Sequence, residues 1–371
     1  MLKQLSIAAT IAALLALNAH AADPDAMEAL RGADSVAWSL RDERNQMVVA
    51  VSPARQTLQI AGSFGTVLGT SISAIANDKY RRDIEEALAG YDGAAVFREK
   101  LEQRLGAALG ARARKVTPMA STAGYNNPKD AERERLAALS KAGNELVLDV
   151  EAEYGLFGYQ GLLVAKLTAK LSDTNRARKV WGDNLIASAE YILASDKLAD
   201  PTNQLMPNIT DPRFGVSEDA IAQWTGDGGA AFRQRFEAAV DGVISALLME
   251  LGLEESAEGG YYLGRIYLMR KKFDAAEAYF NAAIKMDPGH LPAKNGLSVT
   301  LYHKKQLDDA IALASNLTQE APDFGPAQYN LSWWHAVERK DAATALPYYE
   351  RARALGMSTP KKLDKAVGKK R

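Results

Sequence analysis

The spacing of apolar and polar positions changes period along the chain. Between residues 144 and 171 the period is two. Leu148, Val150 and Ala152 alternate with Asp149, Glu151 and Glu153, and Leu163, Ala165, Leu167, Ala169 and Leu171 alternate with Lys166, Thr168 and Lys170. This is the pattern of strands with one buried face. Gly158 and Gly161 bracket Tyr159-Gln160 as a two-residue turn, which sets Glu153 opposite Lys166, Glu151 opposite Thr168 and Asp149 opposite Lys170. Opposite charges then meet on one solvated face and apolar side chains on the other. A third strand over 179–186, carrying Trp181, follows Asp173-Thr174-Asn175-Arg176, and short strands are predicted at 36–40, 47–51 and 115–119.

Elsewhere before residue 256 the period is helical. Val96, Leu101, Leu105 and Leu109 form one stripe. Further helices are predicted at 78–88 and 130–142, the latter with Leu136 and Leu139 inward. Residues 195–229 hold Pro201, Pro207 and Pro212 and read as a long loop with a short helix near Ser217–Trp224. A long helix over 230–251 puts Phe232, Phe236, Val243 and Leu247 on one side, to cover the sheet. The expectation for residues 22–255 is an α+β domain, an antiparallel meander covered by helices.

From residue 256 the pattern repeats. Leu263, Gly264, Tyr267, Ala276, Phe280, Ala283 and Pro288 are followed 34 residues later by Leu297, Ser298, Leu301, Ala310, Ala314, Leu317 and Pro322. A third unit starts at Leu331-Ser332 and needs one inserted residue to place Ala345, Tyr349 and Ala352. Small residues (Gly264, Ser298, Ser332 and the three alanines) let paired helices approach, Tyr267, Phe280 and Tyr349 fill the space between them, and the prolines end each hairpin. Gly260 stands where this pattern has a large aromatic. Over 256–357 the chain resembles the tetratricopeptide repeat family. The resemblance implies an all-α solenoid of about three repeats whose first helices line a concave groove for a protein or peptide. The groove positions are Tyr261, Arg265, Asn295, Tyr302, Tyr329 and Trp333. Trp333 and Trp334 are adjacent, so one is expected to pack and the other to stay available. The Lys/Asn/Arg set of chaperone-tail-binding repeats is not visible, and that specificity is not carried over. Residues 358–371 are strongly basic and read as a solvated tail or the fraying end of a capping helix.

The first 21 residues have the signs of a secretory signal peptide: Lys3, an apolar run from Leu5 to Leu17, and Ala19-His20-Ala21 before a mature start at Ala22. No later stretch is apolar for the roughly 20 residues a span needs. The chain has no cysteine, which removes disulfides, Cys-bound metal, thiol catalysis and N-terminal lipidation. The expected location is therefore the periplasm of a Gram-negative bacterium. Gly65 and Gly69 have a close-packing or membrane-seeking spacing that is not a phosphate loop.

Charge adds a division and an exclusion. Residues 22–257 carry 26 basic and 34 acidic side chains, residues 258–371 carry 18 and 12, and the net charge of −1 does not suit a general nucleic-acid binder. Residues 22–257 contain no histidine, so a Ser-His-Asp triad or a His-rich metal site has no place there, and no cofactor is expected. Asp149, Glu151 and Glu153 are the conspicuous acids, and the lysines opposite them supply a structural reason for their charge. The stretch Glu145–Trp181 is similar to the α+β modules of envelope-assembly proteins of the curli secretion and TolB N-terminal types; no residue roles are carried over from it. The function expected from all this is a non-enzymatic adaptor binding another cell-envelope protein. The alternative is an envelope polysaccharide-acting enzyme that uses paired carboxylates from 149–153 or 195–229, with the repeats as its docking arm.

Overall fold

The chain divides into two units, Ala22–Ala189 with Pro201–Glu254, and Glu190–Asp200 with Glu255–Arg371. A computed structural model describes residues 24–41, 48–49, 82–118, 128–157, 161–196, 198 and 218–369. The signal-peptide segment, Gly65 and Gly69, the Tyr159-Gln160 turn and the prolines of the long loop lie outside the described residues.

The first unit runs through helix α1 (Pro24–Gly32), strands β1 (Val36–Arg41) and β2 (Val48–Val49), and a helix at 82–88 (α2). Helix α3 (Gly93–Leu109), strand β3 (Ala113–Lys115) and helix α4 (Pro128–Lys141) come next. Strands β4 (Leu146–Phe157), β5 (Leu162–Asp173) and β6 (Arg178–Ala187) and helices α5 (Glu218–Thr225) and α6 (Ala230–Glu250) complete it. The predicted register holds residue for residue, with Glu153 opposite Lys166, Glu151 opposite Thr168 and Asp149 opposite Lys170. Strand β6 returns antiparallel beside β5 and sets Trp181 opposite Leu171.

The meander is only half of the sheet. Its order is β3-β1-β4-β5-β6, with β2 also against β4, and β1 and β2 run parallel to β4 while β3 runs parallel to β1. The sheet is therefore mixed rather than wholly antiparallel. Strand β1 fits this place because both of its faces are buried, from Val36 through Leu40. On one face Tyr154 of β4 packs on Phe236 of α6 at 4.7 Å, and Phe97 of α3 meets the same ring edge-on at 6.4 Å. The buried stripe of α3 is Phe97, Leu101, Leu105 and Leu109, so Phe97 and not Val96 begins it. On the other face Leu136 of α4 joins Ala37 and Val147. The short helix predicted near Ser217–Trp224 is α5, anchored where Trp224 Nε1 donates to the Gly161 carbonyl at 2.8 Å.

Helix α4 changes the charged face of the hairpin. Arg135 grips Asp149 through two bonds of 2.7 and 2.9 Å, and Ser39 Oγ donates to the same carboxylate at 2.6 Å. Lys170, opposite Asp149 in the ladder, reaches Glu132 of α4 instead, at 2.5 Å. Only Lys166 keeps its cross-strand partner, Glu153, at 2.6 Å. The face expected to be solvated is partly covered by a helix that supplies its own counter-charges.

The second unit is built from three helical hairpins: α7 (Ala257–Met269) with α8 (Phe273–Met286), α9 (Leu291–His303) with α10 (Leu307–Glu320), and α11 (Gly325–Trp333) with α12 (Ala342–Ala354). Phe280 is fully buried, and a Cβ on Gly264 would lie 2.7 Å from its ring. Gly260 is a close approach as well: a Cβ there would lie 3.1 Å from the Tyr279 carbonyl oxygen, which leaves no room for an aromatic. The inserted residue of the third repeat is absorbed by one π turn, Trp334–Glu338, where Arg339 N donates to the Trp334 carbonyl at 2.9 Å. The wider turn restores the helix phase, so Ala345, Tyr349 and Ala352 are buried as their counterparts are.

The basic C-terminal stretch is not a solvated tail. Helix α13 (Lys361–Ala366) docks with Leu363 buried, and buried Asp364 accepts hydrogen bonds from Tyr349 Oη at 2.9 Å and Thr359 Oγ1 at 2.6 Å. Lys362 Nζ lies 5.0 Å from the centre of the Trp333 ring.

Two histidines are expected to make the stability of the repeats depend on pH. Burial, with Lys305 and Lys271 beside His303 and Arg339 beside His335, holds both imidazoles below the ordinary 6.5; Asp341 opposes this at His335. Each is stacked on a ring, Phe273 at 5.9 Å and Tyr348 at 6.0 Å. His303 Nε2 and His335 Nδ1 are buried with no hydrogen-bond partner among the described residues. The unfolded chain takes up these protons near 6.5 and the folded chain only at lower pH, so stability falls as the pH drops through 6.5. Melting curves between neutral pH and about one unit below that value should show a steeper fall for the wild type than for His303→Gln/His335→Gln. Parallel curves would refute the assignment.

Candidate peptide-binding groove

The first helices of the repeats carry the six groove positions read from the sequence, and the structure separates them into three kinds. Tyr261 and Trp333 are buried in packing. The Tyr261 ring lies 5.0 Å from that of Tyr262, 5.2 Å from His290 and 6.3 Å from Phe280. Trp333 sits under Lys362, and Trp334 is wholly buried, so neither of the adjacent tryptophans is left available. Arg265 and Tyr302 are half-buried. The Arg265 guanidinium lies 5.4 and 5.5 Å from the ring centres of Tyr261 and Tyr262 and donates weakly to Tyr261 Oη at 3.4 Å. Burial raises the pKa of both phenols, so they remain neutral beside the cation. Tyr302 Oη donates to Glu338 at 2.8 Å, and its ring lies 5.7 Å from Trp334.

Asn295 and Tyr329 are engaged by a piece of this same chain, residues 190–196. Asn295 Nδ2 donates to the Ile192 carbonyl at 3.0 Å. Asn330, which the repeat pattern did not single out, accepts the Ala194 N–H on Oδ1 at 2.8 Å. The two amides are joined, Asn330 Nδ2 donating to Asn295 Oδ1 at 2.9 Å, and both residues are buried. Tyr329 Oη and Ser195 Oγ share a hydrogen bond of 2.6 Å; burial pushes the phenol up to about 12, so it stays protonated. Tyr191 meets Phe324 edge-on at 5.3 Å. The segment ends in a turn closed twice, Asp196 N to the Leu193 carbonyl at 3.0 Å and Leu193 N to the Asp196 carboxylate at 2.7 Å.

This geometry recognises main chain. A carbonyl and an N–H two residues apart are read by a linked amide pair, each amide using a donor or an acceptor on the peptide and one on its neighbour. Such a pair in the interior holds its geometry because any unpaired arm is costly, roughly 1–3 kcal/mol. The only side chains the segment buries are Ile192 and Ala194.

The acids of the first unit present a different picture. Asp149 and Glu153 are each bound to a cation. A concavity elsewhere in that unit is lined by Glu85, Asp92, Tyr91, Tyr154, Leu88 and Phe232, and Asp92 there caps α3 by accepting from Ala95 N at 3.0 Å. Among the described residues no group of three His, Asp or Glu side chains is arranged to hold a metal ion, and no helix is long and apolar enough to cross a membrane.

Comparison with known proteins agrees with the repeat reading. Two family models described as tetratricopeptide repeat match the chain, at residues 267–332 and 230–290. The C-terminal region is thus a tetratricopeptide repeat array, and the matched span begins in α6, earlier than the spacing alone indicates. Among solved structures, the chain is similar to YrrB, described as a TPR protein with an unusual peptide-binding site. The identity is 17%, over 37% of this chain and 69% of that one, with a TM-score of 0.27. It is also similar to the hypothetical protein CT253 from Chlamydia trachomatis, at 14% identity over 56% of this chain and 97% of that one, with a TM-score of 0.21. No curated protein sequence matches.

Proposed function

We propose that the protein is an exported adaptor of the bacterial cell envelope that binds another envelope protein along the first helices of its repeats. Tetratricopeptide repeats are protein-interaction scaffolds, and the two family matches support that class of function. The observation that carries the proposal is the Asn295–Asn330 pair, which already holds polypeptide main chain on this face. The envelope location rests on Lys3, the apolar run from Leu5 to Leu17 and Ala19-His20-Ala21, together with the absence of a cysteine to lipidate.

Photo-crosslinking in cells tests both parts. A probe at Tyr302, on the groove side, is expected to capture an envelope protein that a probe at exposed Lys285 does not. The mature chain recovered from the periplasmic fraction is expected to begin at Ala22. Identical products from the two probes would remove the groove from the proposal. A chain retained in the cytoplasm with its first residues intact would remove the envelope.

A further inference from the structure

The contacts of residues 190–196 are those of a ligand more than of a linker. The segment has no regular secondary structure beyond its final turn. It is fixed at Ile192 and Ala194 by side-chain amides acting on its backbone, and at Ser195 by a phenol. Tyr191 keeps 41% of its surface exposed, so the buried anchor amounts to one aliphatic and one small side chain. If the segment leaves, Asn295 and Asn330 lose one partner each and keep each other, which preserves the receptor for another chain.

We infer that residues 190–196 are a built-in occupant of the groove that an incoming peptide must displace, and that the partner presents the same chemistry. That chemistry is an aliphatic residue with an accessible carbonyl, a small residue with an accessible N–H two positions later, then a hydroxyl and a turn-closing aspartate. The inference rests on the groove reading above and adds both its specificity and its regulation. Occupancy is intramolecular, at an effective concentration of about a millimolar for a short tether. If the segment's own intrinsic Kd for the empty groove is tens of micromolar, any competitor is weakened by roughly ten- to a hundredfold.

The test uses the full chain and a labelled, end-blocked synthetic peptide, Glu-Tyr-Ile-Leu-Ala-Ser-Asp. Ala194→Glu places a charged side chain where a buried methyl sits and leaves every groove residue unchanged. It is expected to raise peptide affinity by about ten- to a hundredfold over wild type, and adding Asn330→Ala is expected to abolish the gain. Ile192→Ser/Leu193→Gly is expected to act in the same direction, so misfolding of one variant does not decide the matter. In wild type the Ala194 amide should be protected from hydrogen exchange, and excess peptide should release it. Equal affinity in wild type and both undocked variants would overturn the occupant and leave the adaptor reading standing. No binding by either undocked variant, with repeat melting unchanged, would overturn the proposed peptide chemistry. Failure of the adaptor reading itself shows separately, in the crosslinks from Tyr302.

Discussion

Phe280→Ala is expected to destabilise the repeat unit by about 3–5 kcal/mol, the range for removing a buried aromatic ring. The ring is completely buried and lies between two glycines of different repeats, Gly264 of its own hairpin and Gly296 of the next. It therefore holds one hairpin together and joins it to its neighbour, and in a stacked array the loss of an inter-repeat contact weakens both sides. The converse change is as informative. A Cβ on Gly296 would fall inside contact distance of Phe280 Cε1 and Cζ, so Gly296→Val has to displace the ring or separate the repeats. Combining Phe280→Leu with Gly296→Ala should recover part of the loss, because the smaller side chain vacates the space the methyl needs. Urea denaturation followed by circular dichroism reads all of these. Strictly additive losses in the double variant would show that ring and glycine are not coupled.

The second large effect belongs to the first unit. Asp149→Ala is expected to cost about 1.5–3 kcal/mol, the scale of a hydrogen-bonded charge. Asp149 accepts from both arms of Arg135 and from Ser39, and the two charged side chains are only 15% and 25% exposed. Removing the carboxylate leaves the guanidinium of α4 over strand β1 without its bidentate partner, which costs more than losing a surface pair. Arg135→Met/Asp149→Leu should be closer to wild type than either single change, since it replaces both charges with apolar bulk. The same experiment bears on the carboxylate-enzyme reading. Catalytic acids are commonly kept at a cost to stability, so a gain in stability on replacing Asp149 would argue for chemistry there and against the structural role.

Much of the hairpin was legible from the residues alone. A period of two over Asn144–Leu171 and glycines at 158 and 161 place the pairing of Glu153 with Lys166 and of Asp149 with Lys170, and the ladder has that register. The ion pairs were less legible. Register sets which residues are opposite, whereas the partner of a long side chain depends on whatever packs above it, and α4 offers Arg135 to Asp149 and Glu132 to Lys170. The parallel strands were missed for a related reason. Short apolar runs such as Val36–Leu40 carry no mark of strand direction, which is set by the helices that cross back over the sheet. In the groove, Asn295 and Tyr329 were picked out by repeat position, while Asn330 was not. Its role depends on residues 190–196, more than 130 positions earlier in the chain.

What the sequence determined by itself is what neighbouring residues encode together: the period of each element, the hairpin register, the spacing of 34 and the need for one extra residue in the third repeat. The tertiary structure decided how that extra residue is taken up, as a π turn at Trp334–Glu338, and that both adjacent tryptophans are covered. It also decided that Asn295, Asn330 and Tyr329 are engaged by residues 190–196 of the same chain. Periodicity is a local property, fixed by backbone geometry over a few residues. The occupant of a surface is chosen by free energy among all segments able to reach it, and no pattern confined to either segment records that choice.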